Sequence, residues 1–91
     1  MIKNLTVEQQ LSEILFSDKD ESVYWSTVFG IHDDWSVSNL DPTQITNKRF
    51  QKLKQIAKLI EDNHTTCLTS PYKTVRQIAE QLDQLKQFID K

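Results

Sequence analysis

The chain has 91 residues, a net charge of −2 at pH 7, one glycine, two prolines and one cysteine. This length allows one domain, residues 1–91, with a small core. The single cysteine excludes an internal disulfide, and the scarcity of Gly and Pro disfavours an all-β fold, which needs many tight turns. The sequence therefore predicts an all-α protein. Its start has no apolar signal core and no segment is of membrane-spanning length, so we expect a reduced, cytoplasmic setting.

The first predicted helix follows Thr6. Thr6 and Gln9 have the spacing of a capping box, in which the hydroxyl accepts the Gln9 N–H and the amide reaches back to Thr6. Apolar side chains then recur at helical spacing, which predicts one buried face. They are Val7, Leu11, Ile14 and Leu15. A polar connection, residues 17–22, follows.

A second helix is predicted over residues 23–29. Gly30 comes directly after its last apolar residue, the position where many helices end in a left-handed residue. Residues 32–39 show no helical period. We interpret them as a loop anchored by Trp35, with a short strand as the alternative.

The third and longest predicted helix has strong start residues. Asp41 suits the N-cap, Pro42 the first helical position, and Gln44 completes a capping box. The pattern predicts a helix from there to about His64. Its apolar arc holds Ile45, Phe50, Leu53, Ile56, Ala57 and Ile60.

After a predicted loop, residues 65–71, Thr74 and Gln77 have the spacing of another capping box. The apolar pattern that follows predicts one last helix to the C-terminus. Four amphipathic helices, with one longer loop between the second and third, predict a small four-helix bundle.

A basic run in the third helix is the main functional feature of the sequence. Residues 48–58 hold five cations, in a chain whose residues 1–41 carry −6 and residues 42–91 carry +4. A solvated helix face and a nucleic-acid contact are the alternatives, but the acidic total and the lack of interleaved aromatics disfavour nucleic acid. We expect a protein partner with an acidic surface. The predicted partner-binding residues are Lys48, Arg49, Lys52, Lys58 and Leu59.

Arg49 and Leu59 depart from the charge pattern of this helix. Leu59 falls in the polar arc, whereas Arg49 falls in the apolar arc. The guanidinium can extend to solvent, pair with an acid of the N-terminal half such as Asp18, Asp20 or Glu21, or contact a partner.

Catalytic and metal-binding patterns are weak. His32, Asp33, Asp34, His64 and Cys67 have no recognised zinc spacing, and a His64–Cys67 nucleophile pair lacks a third group. The segment TVRQIAEQL matches the first helix of a helix-turn-helix unit, but the helical period then continues where a turn and a recognition helix should follow. We therefore expect no catalytic residue, metal or cofactor.

Two segments resemble a known family. TVEQQLSEIL, residues 6–15, and TVRQIAEQLDQL, residues 74–85, are similar to the first and last helices of acyl and peptidyl carrier proteins. The resemblance implies a four-helix carrier-like fold. Carrier proteins bear phosphopantetheine on a serine at the start of an acidic central helix. That position falls near Thr46 here, no serine lies between Ser38 and Ser70, and the helix is basic.

These observations predict a non-enzymatic protein that acts by protein–protein binding, in an immunity, antitoxin-like, regulatory or adaptor role. The alternatives are a carrier-like domain without the attachment serine and, less favoured, a nucleic-acid binder. Homo-oligomerisation stays open.

Overall fold

The structure is a computed structural model, which describes residues 5–29 and 35–90. Across these two ranges it is all-helical, with six α-helices and three short 3₁₀ turns, and it has no β-strand. The α-helices are α1 (Val7–Phe16), α2 (Ser22–Val28), α3 (Asn47–Asp62), α4 (His64–Leu68), α5 (Lys73–Glu80) and α6 (Leu82–Ile89). The all-α prediction is confirmed, but six helices stand where the sequence pattern predicted four.

The start of α1 agrees with its sequence. The Thr6 hydroxyl accepts the Gln9 N–H at 3.1 Å, and the Gln9 side chain accepts the Thr6 N–H at 3.0 Å. Val7, Leu11 and Leu15 are buried on one face. The capping box and the apolar face predicted for this helix are confirmed.

An aromatic stack forms the part of the core nearest α2. Phe29 stacks on Trp25 at 5.7 Å and on Trp35 at 5.2 Å between ring centroids. Trp35 is buried, as predicted for a loop anchor. The predicted left-handed cap at Gly30 lies outside the described residues. Val37–Asn39 is a 3₁₀ turn, so this part of the loop does not form the alternative strand.

α3 begins five residues later than predicted, at Asn47 instead of Pro42. Pro42–Gln44 form a separate 3₁₀ turn capped by Asp41, Ile45 is extended, and α3 begins at Asn47 with Thr46 as its N-cap. The Arg49 guanidinium donates to the Gln44 carbonyl at 2.7 Å. A carbonyl that a continuous helix would use internally is thereby satisfied by a side chain.

Two breaks, at Asn63 and at Gln81, separate helices in the second half of the chain. The first lies at the border between the predicted third helix and the predicted loop, and the second lies within the predicted last helix. At Asn63 the side-chain amide donates to the Leu59 carbonyl at 2.9 Å, so α3 ends there, and α4 follows within the predicted loop and buries Cys67. Short polar side chains that bond to nearby backbone compete with helix continuation.

At the start of α5 the predicted capping box is wrong, because Tyr72 is the N-cap and Thr74 is buried.

The second break, at Gln81, separates α5 from α6. The Gln81 amide donates to the Trp35 carbonyl at 3.0 Å and accepts the Val37 N–H at 2.9 Å, while Gln77 accepts the Trp35 N–H at 2.7 Å. The loop backbone is thus bonded by glutamine side chains. The apolar periodicity of the sequence does not report this contact, because the partners are more than 40 residues apart.

One hydrophobic core joins all six helices. It includes fully buried branched aliphatic residues of α3, α5 and α6, which belong to the predicted apolar arcs. They are Leu53, Ile56, Ile60, Ile78 and Leu85. Within residues 5–29 and 35–90, no helix combines the length and the apolar character needed to cross a bilayer.

Candidate partner-binding surfaces

Arg49 is an internal brace of the fold. Its guanidinium makes two parallel hydrogen bonds to Glu21, from Nε at 2.9 Å and from Nη2 at 3.0 Å, and its central carbon lies 3.7 Å from the centre of the Tyr24 ring. The side chains of Arg49 and Glu21 are only 20% and 16% exposed. The hydrogen bond from Arg49 holds the pKa of Glu21 below its ordinary value. The sequence alternative in which Arg49 pairs with an acid of the N-terminal half is confirmed.

Two lysines of the predicted binding face also bond within the chain. Lys48 forms an ion pair with Asp18, which lowers the pKa of that carboxyl. Lys52 donates to the Ile14 carbonyl at 2.7 Å and to the Ser17 hydroxyl at 3.2 Å. A cation at the C-terminal end of α1 stabilises that end of the helix dipole. We call Lys48, Arg49 and Lys52 the cation clamp, because together they join α3 to the end of α1 and the turn before α2.

The other two predicted contact residues differ from one another. Lys58 is 78% exposed and lies 3.7 Å from Asp62, a weak pair on the helix surface. Leu59 is half-buried against the core and not part of the exposed polar arc. The outer face of α3, defined here by the exposed side chains of residues 48–58, therefore carries three lysines and two glutamines. They are Lys48, Gln51, Lys54, Gln55 and Lys58.

The second candidate surface is a groove between α1 and the start of α5. It has a volume of about 520 Å³ and extends along α1 from Thr6 to Phe16, with the start of α5 as its other wall. Leu11, Leu15 and Phe29 contribute apolar surface to it. We call it the α1–α5 groove. A cleft of this volume with mostly apolar walls is a candidate binding site.

A hydrogen-bond network fixes one end of the α1–α5 groove. The buried Ser70 hydroxyl donates to Glu8 at 2.9 Å and accepts the Tyr72 N–H at 3.1 Å. Arg76 donates to the Ser70 carbonyl at 2.7 Å. These bonds hold the turn that precedes α5 against α1, so Tyr72, which is 46% exposed, stands at a fixed place on the rim.

Sequence analysis did not predict the α1–α5 groove. Its walls come from segments more than 50 residues apart, and the turn at Pro71 was interpreted as a loop. One feature pointed to it. Phe16 ends α1 as a large apolar side chain beyond the predicted apolar stripe, and it proves to be only partly buried.

The residues considered for metal or nucleophile chemistry are committed to other contacts or lie outside the described ranges. The His64 Nε2 atom donates to the Ala79 carbonyl at 2.9 Å. Cys67 is buried, and burial raises the pKa of its thiol, which keeps it protonated and unreactive. The described residues contain no group of three or more metal-ligating side chains. His32, Asp33 and Asp34 lie outside them.

Thr46 occupies the position that the carrier resemblance assigned to the attachment serine. It is exposed at the N-cap of α3, where its hydroxyl accepts the Arg49 N–H at 3.2 Å. Thr46 thus lies at the start of the longest helix and is not a serine.

The described residues thus form an all-helical domain that carries the cation clamp and the α1–α5 groove. Comparisons with protein-family models, curated proteins and solved structures found no match for this chain.

Proposed function

We propose that this protein acts by binding another protein, in a regulatory, adaptor or immunity-type role, and that the α1–α5 groove makes the contact. The observation that carries the proposal is the groove itself, which leaves Phe16 partly exposed and Tyr72 46% exposed beside an otherwise buried core. Aromatic side chains at the rim of an apolar cleft are frequent anchors of protein interfaces. The proposed mode of action is non-enzymatic.

The outer face of α3 is the weaker candidate for this contact. The Arg49 head group is held by Glu21, Gln44 and Tyr24, and Lys52 stabilises the end of α1. Moving either side chain to a partner would leave buried or half-buried groups unpaired, which costs free energy. Lys54 and Lys58 remain accessible and can add a salt-dependent contribution to encounter.

Paired surface variants test the proposal. The full-length protein is immobilised and incubated with lysate of its own organism, and the captured protein is quantified. Ser12→Arg places a long cation in the α1–α5 groove from an exposed position and is expected to lower capture at least tenfold. Gln55→Arg adds the same charge on the outer face of α3 and is expected to leave capture unchanged.

A double variant, Lys54→Glu with Lys58→Glu, decides between the two surfaces while keeping the cation clamp intact. We expect it to change capture by less than about threefold. If this variant abolished capture while Ser12→Arg did not, the contact would lie on the outer face of α3. Circular dichroism of each variant checks that the fold is kept.

We propose a carrier-like domain as the second candidate, on the strength of the exposed Thr46 at the start of α3. Incubation with a phosphopantetheinyl transferase and coenzyme A, followed by intact-mass measurement, separates the candidates. Under the protein-binding proposal we expect no change in mass. A gain of one prosthetic arm that disappears in Thr46→Val would establish the carrier function in its place.

A further inference from the structure

The last turn of α1 forms one end of the α1–α5 groove. Leu15 is 4% exposed and fixes the helix in the core up to that residue. Phe16, the next residue and the last of α1, lines the groove and is only partly buried. The shape of the groove at this end therefore depends on whether the helix continues through Phe16 or frays after Leu15.

α1 lacks two common ways of stabilising the end of a helix. Its last turn contains no basic residue, and its C-cap, Ser17, has a right-handed conformation instead of the left-handed one that often closes a helix. The last backbone hydrogen bond of α1 runs from the Ser17 N–H to the Glu13 carbonyl. The carbonyls that follow Glu13 therefore have no donor within the helix.

Lys52 of α3 supplies a cap for this end of α1. Its ammonium donates to the Ile14 carbonyl, the first one left open by the helix, at 2.7 Å, and to the Ser17 hydroxyl at 3.2 Å. The Lys52 side chain is partly buried. Its positive charge also stabilises the negative end of the helix dipole. The C-terminal end of α1 is thus completed by a residue 38 positions later in the chain.

The other two residues of the cation clamp bond to the chain after α1. Lys48 pairs with Asp18, and Arg49 makes two hydrogen bonds to Glu21. These bonds hold the turn that leads into α2. Within the cation clamp it is therefore Lys52 whose bonds reach α1 itself and its last turn.

We propose that Lys52 is a positioning residue for the α1–α5 groove, because by capping α1 it keeps the last turn helical and holds Phe16 in the groove wall. Lys52 is not among the described residues that line the groove. A change at Lys52 therefore weakens partner binding without a contact between the lysine and the partner. The inference rests on the proposed function and adds a control of the same site from α3.

Residue-resolved amide hydrogen exchange of the full-length protein tests this role without a partner. We expect Lys52→Met to speed exchange of the Phe16 and Ser17 amides at least about fivefold relative to that of Leu11 in the middle of α1, because a frayed turn loses its backbone bonds. Lys52→Arg keeps the charge and the donor and should restore most of the protection. Lys54→Met, the matched control on the outer face of α3, should leave exchange of all three amides unchanged.

Capture from lysate then connects the cap with binding. We expect Lys52→Met to lower capture by about threefold to tenfold, and Lys52→Arg to keep it within about twofold of the wild type. Lys54→Met should leave capture unchanged. Circular dichroism checks that each variant keeps its helical content.

The results separate a failure of this inference from a failure of the proposed function. Unchanged exchange at Phe16 and Ser17 in Lys52→Met would overturn the inference, and so would capture that depends on Ser12 and not on Lys52. Faster exchange at both amides, with capture indifferent to Ser12→Arg and to Lys52→Met, would contradict the proposed function of the groove and leave Lys52 as a cap of α1 alone.

Discussion

Replacing Trp35 with alanine is expected to lower the free energy of unfolding by about 3–5 kcal/mol. Trp35 is 2% exposed, stacks on Phe29, and anchors in the core the chain next to the Val37–Asn39 turn. Alanine leaves a cavity that the surrounding helices cannot close, since Gln77 and Gln81 hold the loop backbone in place. A 91-residue domain has about 5–14 kcal/mol of total stability, so the variant should be close to unfolding. Urea unfolding followed by circular dichroism measures the change.

Trp35→Phe is the matched control, because it keeps an aromatic ring and removes the indole N–H. Among the described residues, that N–H is buried without a hydrogen-bond acceptor, an arrangement that costs about 1–3 kcal/mol in itself. The gain from removing it should offset part of the lost volume, and we expect a net change within about 1.5 kcal/mol. Equal losses for Trp35→Phe and Trp35→Ala would show that the ring does not act through packing. A loss below 1 kcal/mol for Trp35→Ala would show that the loop is not anchored there.

Replacing Arg49 with methionine is expected to lower the free energy of unfolding by about 1.5–3 kcal/mol near neutral pH. The change removes two hydrogen bonds to Glu21, the stacking on Tyr24 and the bond to the Gln44 carbonyl. The free energy of unfolding of Arg49→Lys should lie between those of the wild type and Arg49→Met, because an ammonium keeps the charge and cannot make the bidentate contact. Lys54→Met, on the outer face of α3, removes the same charge and should change stability by less than about 0.5 kcal/mol.

The effect of Arg49→Met should depend on pH with a defined sign. In the folded protein Arg49 holds the pKa of Glu21 below its ordinary value of 4.5. A carboxyl whose pKa is lowered on folding adds stability above its unfolded value and loses it as the pH falls through its folded value. The difference between wild type and Arg49→Met should therefore be full near neutral pH and shrink below about pH 4.5. A difference that stays constant down to about pH 3 would contradict the charge pairing.

Local patterns in the sequence predicted those features that depend on neighbours along the chain. The capping box at Thr6 and the apolar arc from Leu53 to Ile60 each involve residues within two or three turns of one another. The anchoring role of Trp35 followed from its type, because a lone tryptophan in a polar loop has few favourable places outside a core.

Features that depend on distant partners were not predictable in this way. Asp41 and Thr46 are both good N-caps, and the position of the α3 start is tied to the Arg49 bond to the Gln44 carbonyl. The break at Gln81 accompanies its bonds to the loop at Trp35. Periodicity cannot report such contacts, because they involve residues far apart in the chain or add no change to the apolar pattern.

The functional interpretation of the basic run was limited in the same way. A count of charges on one helix predicted an exposed cationic face, but Arg49 and Lys52 bond to groups 28 to 38 residues earlier in the chain. The acidic N-terminal half and the basic C-terminal half are thus joined within one molecule by the cation clamp. When the two halves of a small domain carry opposite net charge, pairing between them within the chain should be considered before binding to an external partner.

The most direct test of binding at the α1–α5 groove is a titration of ¹⁵N-labelled protein with the captured partner, followed by amide chemical shifts. We predict that the largest changes occur at Ser12, Phe16 and Tyr72, with Gln51, Gln55 and Lys58 nearly unchanged. Large changes on the outer face of α3, with the groove unchanged, would contradict groove binding and return the contact to the basic run.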